Sequence, residues 1–177
     1  QGGIDRAGGH ILAHLDARER IGVEVNPAAR ATAIAMGLTC HESLAAVWDD
    51  SVDVIVSNHV LEHVPSPLAS LVEMRRVLRP QGRVVLCLPI DDWRTQRTFT
   101  KPDINRHLYT WSPRLLGNLM AEAGYKVGQV SVLTHAWPER SWEYWDSKLP
   151  VRWFDALCWW TSVRLRRRQI IAWGIKP

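Results

Sequence analysis

The 177-residue chain is 46% hydrophobic and 23% charged, with a formal net charge of +4; that length predicts one domain, 1–177, and that balance is ordinary for a globular fold. No apolar run is long enough to span a membrane and no signal peptide is read, so the expected location is the cytoplasm, with peripheral membrane contact as a further expectation. Cys40, Cys87 and Cys158 are scattered, which excludes a disulfide framework, suits a reducing compartment and gives no metal-ligand spacing, so no metal site is expected.

In chain order, Gly2, Gly3, Gly8 and Gly9 open the sequence, and His10 to Arg18 reads as a helix with Ile11, Leu12 and Leu15 on one face. Glycine ahead of a helix can let backbone N–H groups approach an anionic or polar ligand, although glycine-rich termini are often merely flexible. Arg20 to Val25 is predicted as a short strand interrupted by Glu24, and Asn26-Pro27 then starts a helix over Pro27 to Met36 that Gly37 ends. A carboxylate near the end of a buried strand is costly without a partner. A ribose diol would serve, and so would backbone N–H groups of the next loop. Leu38 to Cys40 reads as a strand with His41, Glu42 and Ser43 at its end.

Asp53 to Val64, DVIVSNHVLEHV, is predicted as a buried strand running straight into a helix. Val54, Ile55 and Val56 form a continuous apolar run, expected of a strand covered on both faces of a parallel sheet. Ser57, Asn58 and His59 fall at its carboxyl end, where ligands bind in open α/β sheets; a turn capped by Ser57 or Asn58 is the plainer alternative. His63, after Glu62 in that helix, reads as structural.

Pro67 to Leu78 is predicted helical, with Leu71, Met74 and Leu78 on one face. Pro80-Gln81-Gly82 is a turn and Arg83 to Leu88 a doubly buried strand, with Asp91, Asp92 and Trp93 placed to shape a substrate pocket. Arg94 to Arg106 reads as a loop or lid. His107 to Trp111 leads into a helix with Ser112 as N-cap, Pro113 in its first turn and Gly124 as its stop. Tyr125 to Leu133 is a strand. A Trp-rich insertion or lid occupies about 137–168, helical from about Val151, and Gln169 to Ile175 is the last strand. Strands alternating with helices predict a doubly wound, mostly parallel α/β sheet.

Gly22-Val23-Glu24-Val25-Asn26-Pro27, Asp53 to Val64, Val77 to Arg83, the HLYTWSP stretch, Ala123-Gly124-Tyr125 and the closing Lys176-Pro177 together resemble the class I S-adenosylmethionine-dependent methyltransferases. The closest branch is the type 11 or 12 group that includes ubiquinone-type O-methyltransferases. The resemblance implies a Rossmann-like methyltransferase fold with an antiparallel last strand, and S-adenosyl-L-methionine as cofactor. It implies that Glu24 holds the ribose hydroxyls with Val25 and Asn26 beside it, that His41, Glu42 and Ser43 border the adenine, and that Ser57, Asn58 and His59 lie under the methionine portion. At the place of the family's glycine motif stands Ile4 to His10, where only Gly9, and less clearly Gly8, matches and no apolar strand precedes. The first strand is therefore expected to be missing or degraded, with an upstream segment or a degraded cofactor site as the two alternatives.

The expected reaction is methyl transfer to a small-molecule, lipid-linked or glycan acceptor, with a catalytically inactive binding module as the alternative. An oxygen nucleophile would call for a base near neutral pKa, and His59, His107 and Tyr109 are the candidates. Trp153, Phe154, Trp159 and Trp160 beside Arg164, Arg166, Arg167 and Arg168 also suit a membrane-surface helix, the plainer alternative being core packing with a solvated basic face. Much of the net charge comes from the end of the chain, Arg164, Arg166, Arg167, Arg168 and Lys176, a basic terminus that hints at an anionic partner, the plainer alternative being a solvated helix face; no nucleic-acid partner is expected.

Overall fold

A computed structural model describes residues 17–90, 98–99, 106–134, 148–165 and 168–177. Among them the chain runs β1 (Ile21–Val23), α1 (Pro27–Ala35), β2 (Thr39–His41), a 3-10 turn (Leu44–Ala46), β3 (Val52–Asn58), α2 (Pro67–Val77), β4 (Leu78–Ile90), α3 (Pro113–Glu122), β5 (Lys126–Leu133), α4 (Val151–Leu165) and β6 (Arg168–Ile175). β1 and β2 pair in parallel as a two-stranded sheet. The other four strands form a sheet ordered β3-β4-β6-β5, in which β3 and β4 are parallel and β6 runs antiparallel to both its neighbours. This is the mostly parallel α/β sheet with an antiparallel closing strand that the sequence predicts. The glycine-rich opening, most of the His10 to Arg18 helix and the Asp91 to Trp93 pocket residues lie outside the described residues, as does much of the expected lid.

Local chemistry explains where the helices begin. Asn26 Oδ1 accepts from the N–H groups of Ala28 (2.9 Å) and Ala29 (3.4 Å), Ser66 Oγ from Ala69 N–H (3.4 Å) and Ser112 Oγ from Leu115 N–H (3.2 Å). A proline follows each cap, with φ already suited to the helix. Gly37 and Gly124 leave α1 and α3 at φ +83° and +86°, a region open to glycine at little cost.

The core lies in the four-stranded half. Leu71, Met74 and Val77 of α2 and Leu116 and Met120 of α3 pack on Val84, Leu86, Leu88, Ile170 and Ala172 of the sheet, all of them buried. The Tyr125 hydroxyl donates to the Leu71 carbonyl at 3.0 Å and ties the two helices together; burial pushes its pKa up. Arg76 reaches the carbonyls of Leu44 (2.8 Å) and Val47 (3.1 Å) and pairs with Asp49 and Glu73, fixing the 3-10 turn on α2.

Four expectations change. First, the strand ending at Asn58 does not run into a helix. His59 sits at φ +52°, residues 61–65 form turns, and helix resumes only at Pro67. Second, β3 is not covered on both faces: Val54 is 53% and Val56 43% exposed. A continuous apolar run cannot distinguish a central strand from an edge strand, and β3 is an edge of its sheet among the described residues. Third, the Pro80-Gln81-Gly82 turn is a bulge inside β4. Val52 pairs Leu78 and Val54 pairs Arg83, with Gln81 at φ +66°. A Cβ on Gly82 would lie 2.7 Å from the Arg79 carbonyl oxygen. Fourth, Lys176 is not part of a free basic terminus: its Nζ donates to Asp50 Oδ1 (2.6 Å) and to the Leu78 (2.8 Å) and Arg76 (3.3 Å) carbonyls, closing the end of α2. Among the described residues, no helix is long and apolar enough to cross a membrane.

Candidate functional site

The carboxyl ends of the parallel strands carry two groups of polar side chains. The first is centred on Glu24, the residue after β1, which is only 4% exposed. Its backbone N–H donates to the His41 carbonyl (2.9 Å), so the β1–β2 pairing continues one step beyond the strands. Its Oε1 accepts the Asn26 N–H at 2.7 Å, whereas its Oε2 is buried with no hydrogen-bond partner. Arg30 donates to the Glu24 carbonyl (2.7 Å) and stands 3.5 Å from Glu42 Oε2, drawing the loop after β2 against Glu24.

The predicted ribose acid and adenine-bordering segment are thus neighbours. Asn26 has its side-chain oxygen committed to the α1 cap, Val25 is exposed beside it, and Ser43 makes no side-chain cap bond. A buried carboxylate oxygen without a donor fits a ligand hydroxyl, because leaving it unmet costs about 1–3 kcal/mol or more. The residues present therefore fit the cofactor at this point. Gly8 and Gly9 lie outside the described residues.

The second group lies at the end of β3. Ser57 is buried and its Oγ has no hydrogen-bond partner; Asn58 is half-buried and pairs with Cys87. His59 donates its N–H to the Cys87 carbonyl at 2.8 Å. Its left-handed backbone costs about 1–3 kcal/mol in a residue with a Cβ, and such residues cluster at functional sites. That turn projects His59 Nδ1 to 3.6 Å from Oε1 of Glu62, whose side chain is fully buried.

His63 Nε2 lies 3.9 Å from the same Glu62 oxygen, and the His63 ring meets His107 edge to face with centroids 5.0 Å apart. Leu108 N–H donates to the Glu62 carbonyl (2.8 Å), anchoring the segment that carries His107. Burial, then the His107 ring, lowers the His63 pKa, although the nearby Arg106 backbone pulls the other way. The Cys87 thiol is pushed up to about 11 by burial and by the Glu62 charge.

The structure treats the predicted bases differently. Tyr109 donates its hydroxyl to the Pro65 carbonyl at 2.8 Å, a positioning contact. His107 packs on His63, and His59 faces a carboxylate that can orient it. Reading residues 60–65 as a helix hid Glu62 and His63 from the site, and no spacing rule joins His63 to a histidine 44 positions later. Trp111 belongs to the hydrophobic core, and its buried Nε1 lacks a hydrogen-bond partner. A cavity of about 620 Å³ opens elsewhere, at the start of β1 and β2, lined by Arg18, Arg20, Met36 and Thr39; neither Glu24 nor His59 reaches it.

This architecture has relatives. The family model described as "Methyltransferase domain" matches residues 7–130. A 37.1 kDa protein in transposon TN4556 of Streptomyces fradiae is 36% identical over 98 residues, covering 49% of this chain and 28% of the relative, so the chain spans under a third of that protein. Among solved structures, a chain from the complex between the Haloferax volcanii Trm112 methyltransferase activator and a methyltransferase aligns with a TM-score of 0.68 at 18% identity, covering 97% of this chain and 79% of that one. Haemonchus contortus phosphoethanolamine N-methyltransferase 2, bound to phosphomonomethylethanolamine and S-adenosylhomocysteine, aligns with a TM-score of 0.62 at 14% identity, covering 89% of this chain and 43% of that one. At these identities the structural likeness shows the fold. Together with the family-model match, it shows that the chain belongs to the methyltransferase domain family, with the Rossmann-like class I fold of S-adenosylmethionine-dependent methyltransferases.

Proposed function

We propose that this domain transfers the methyl group of S-adenosyl-L-methionine to a small-molecule, lipid-linked or glycan acceptor. The observation that carries the reading is Glu24 Oε2, a buried acceptor without a donor just beyond the end of β1. In this reading Glu24 accepts the ribose hydroxyls, His41 and Glu42 border the adenine, and Ser57 offers its Oγ beneath the methionine portion. The cofactor supplies an electrophilic methyl group; the protein supplies position and electrostatics. His59 is the favoured base for an oxygen nucleophile, because the Glu62 carboxylate 3.6 Å from Nδ1 can orient its ring. Calorimetric titration with S-adenosylhomocysteine tests the cofactor reading: saturable binding supports it and none by the folded chain contradicts it. Binding without methyl transfer across an acceptor screen would favour an inactive binding module.

A lipid-linked acceptor gains support from α4. Phe154, Cys158 and Ser162 are buried on one side, while Trp153 (69% exposed), Trp159 and Trp160 face solvent with Arg152 and Arg164. Arg164 lies over the Trp160 ring at 5.7 Å. Tryptophan at headgroup depth with arginine on phosphate is the composition of a membrane-surface helix. Co-sedimentation with anionic vesicles, lost in Trp153→Ser/Trp160→Ser, is the expected result; equal recovery of both proteins in the supernatant would contradict it.

A further inference from the structure

We propose that Glu62, His63 and His107 form a binding site for one divalent transition-metal cation of the zinc class. Each residue offers one donor atom, and the three atoms lie within 4.8 Å of one another. A cation bound at about 2.1 Å to each in tetrahedral geometry holds its ligand atoms about 3.4 Å apart, so side-chain adjustments of roughly 1 Å close the set. The 3.9 Å between His63 Nε2 and Glu62 Oε1 is long for a hydrogen bond and near the separation of two ligands of one cation.

The donor chemistry narrows the metal. Two imidazoles and one carboxylate suit zinc or iron(II), whereas magnesium and calcium prefer sites built from oxygen. Glu62 is fully buried, so its carboxylate is held in place beside the two imidazoles. The surroundings are those of a built site. Leu108 N–H donates to the Glu62 carbonyl at 2.8 Å, so the segment that carries His107 is fastened to the residue that precedes His63. Three protein ligands leave a coordination position open to water or an oxygen ligand. The inference concerns residues outside the Glu24 group; it shares Glu62 with the orientation of His59, and its test reads metal binding without methyl transfer.

The test is calorimetric titration of the full, chelator-treated chain with zinc chloride, and separately magnesium chloride, accompanied by the visible spectrum of the cobalt(II) form. The expected result is one zinc per chain, little or no magnesium binding, and a cobalt spectrum without thiolate charge transfer. His63→Ala and His107→Ala should each weaken zinc by more than about a hundredfold, because loss of a mere outer-shell contact already costs about 10–100-fold. Because these rings pack on each other, far-ultraviolet circular dichroism of each variant accompanies the titration, and His107→Gln, which keeps bulk, replaces a variant that does not fold. Absence of zinc binding by the folded chain overturns the proposal. So does binding undiminished in the folded histidine variants, a thiolate band in the cobalt spectrum, or magnesium bound more tightly than zinc.

Discussion

The two sheets divide the labour of this domain unequally. The four-stranded sheet with α2 and α3 holds the hydrophobic core, including fully buried Leu71, Leu86, Leu116 and Ile170. The β1–α1–β2 unit has short strands, and no residue of α1 is buried; Ile34, Met36 and Val25 stand exposed. Yet this thinly packed unit carries Glu24, the group best fitted to hold a cofactor. Under the proposed function, the ribose end of the ligand is therefore held apart from the packed core, while Ser57 and His59 lie at the end of the edge strand of the four-stranded sheet.

Breaking the core half should have the largest effect. Leu71→Ala, at a fully buried position, is expected to cost about 2–5 kcal/mol in urea unfolding. Breaking the other half should separate binding from stability. Glu24→Ala removes charge-assisted hydrogen bonds to the ligand worth about 1.5–3 kcal/mol, a loss of ten- to more than a hundredfold in affinity, while shifting the urea midpoint far less than Leu71→Ala does. Ala31→Gly, at an exposed position in α1, is expected to cost about 1 kcal/mol locally. Hydrogen exchange sharpens the contrast: amides of α1 and β2 should exchange well before those of β4 and β6, and Ala31→Gly should speed only the first set. Uniform protection across both sheets would contradict the division.

The smallest expected effect is a pH dependence at the His63–His107 contact. His63 has a folded pKa below its unfolded value of about 6.5, so the unfolded chain binds the proton more readily. Its contribution to stability is complete above about pH 6.5 and declines as pH falls through the folded value. Urea midpoints of the metal-free chain should fall on acidification across that window, and fall less in His63→Asn.

What the sequence revealed follows the range of each interaction. Caps act over three residues, so Asn26 and Ser112 could each be placed beside a proline, and the strand ends that present Glu24 and Ser57 followed from apolar runs. The segment after Asn58 was misread because VLEHV has helical apolar spacing, while the left-handed turn at His59 depends on its bond to Cys87, 28 residues away. The meeting of His63 with His107 is likewise tertiary. Lys176 looked like one more basic terminal residue until its three acceptors were in place.

The central claim is that Glu24 Oε2 awaits the ribose hydroxyls of the cofactor. The most direct measurement is a four-way calorimetric titration of the parent chain and Glu24→Ala with S-adenosylhomocysteine and with its 2′,3′-dideoxy analogue. The account predicts that parent and variant differ by at least about tenfold for the natural ligand and bind the analogue alike, because the variant and the analogue remove the same hydrogen bonds. Equal loss for both ligands in Glu24→Ala, or no loss for either, would contradict it.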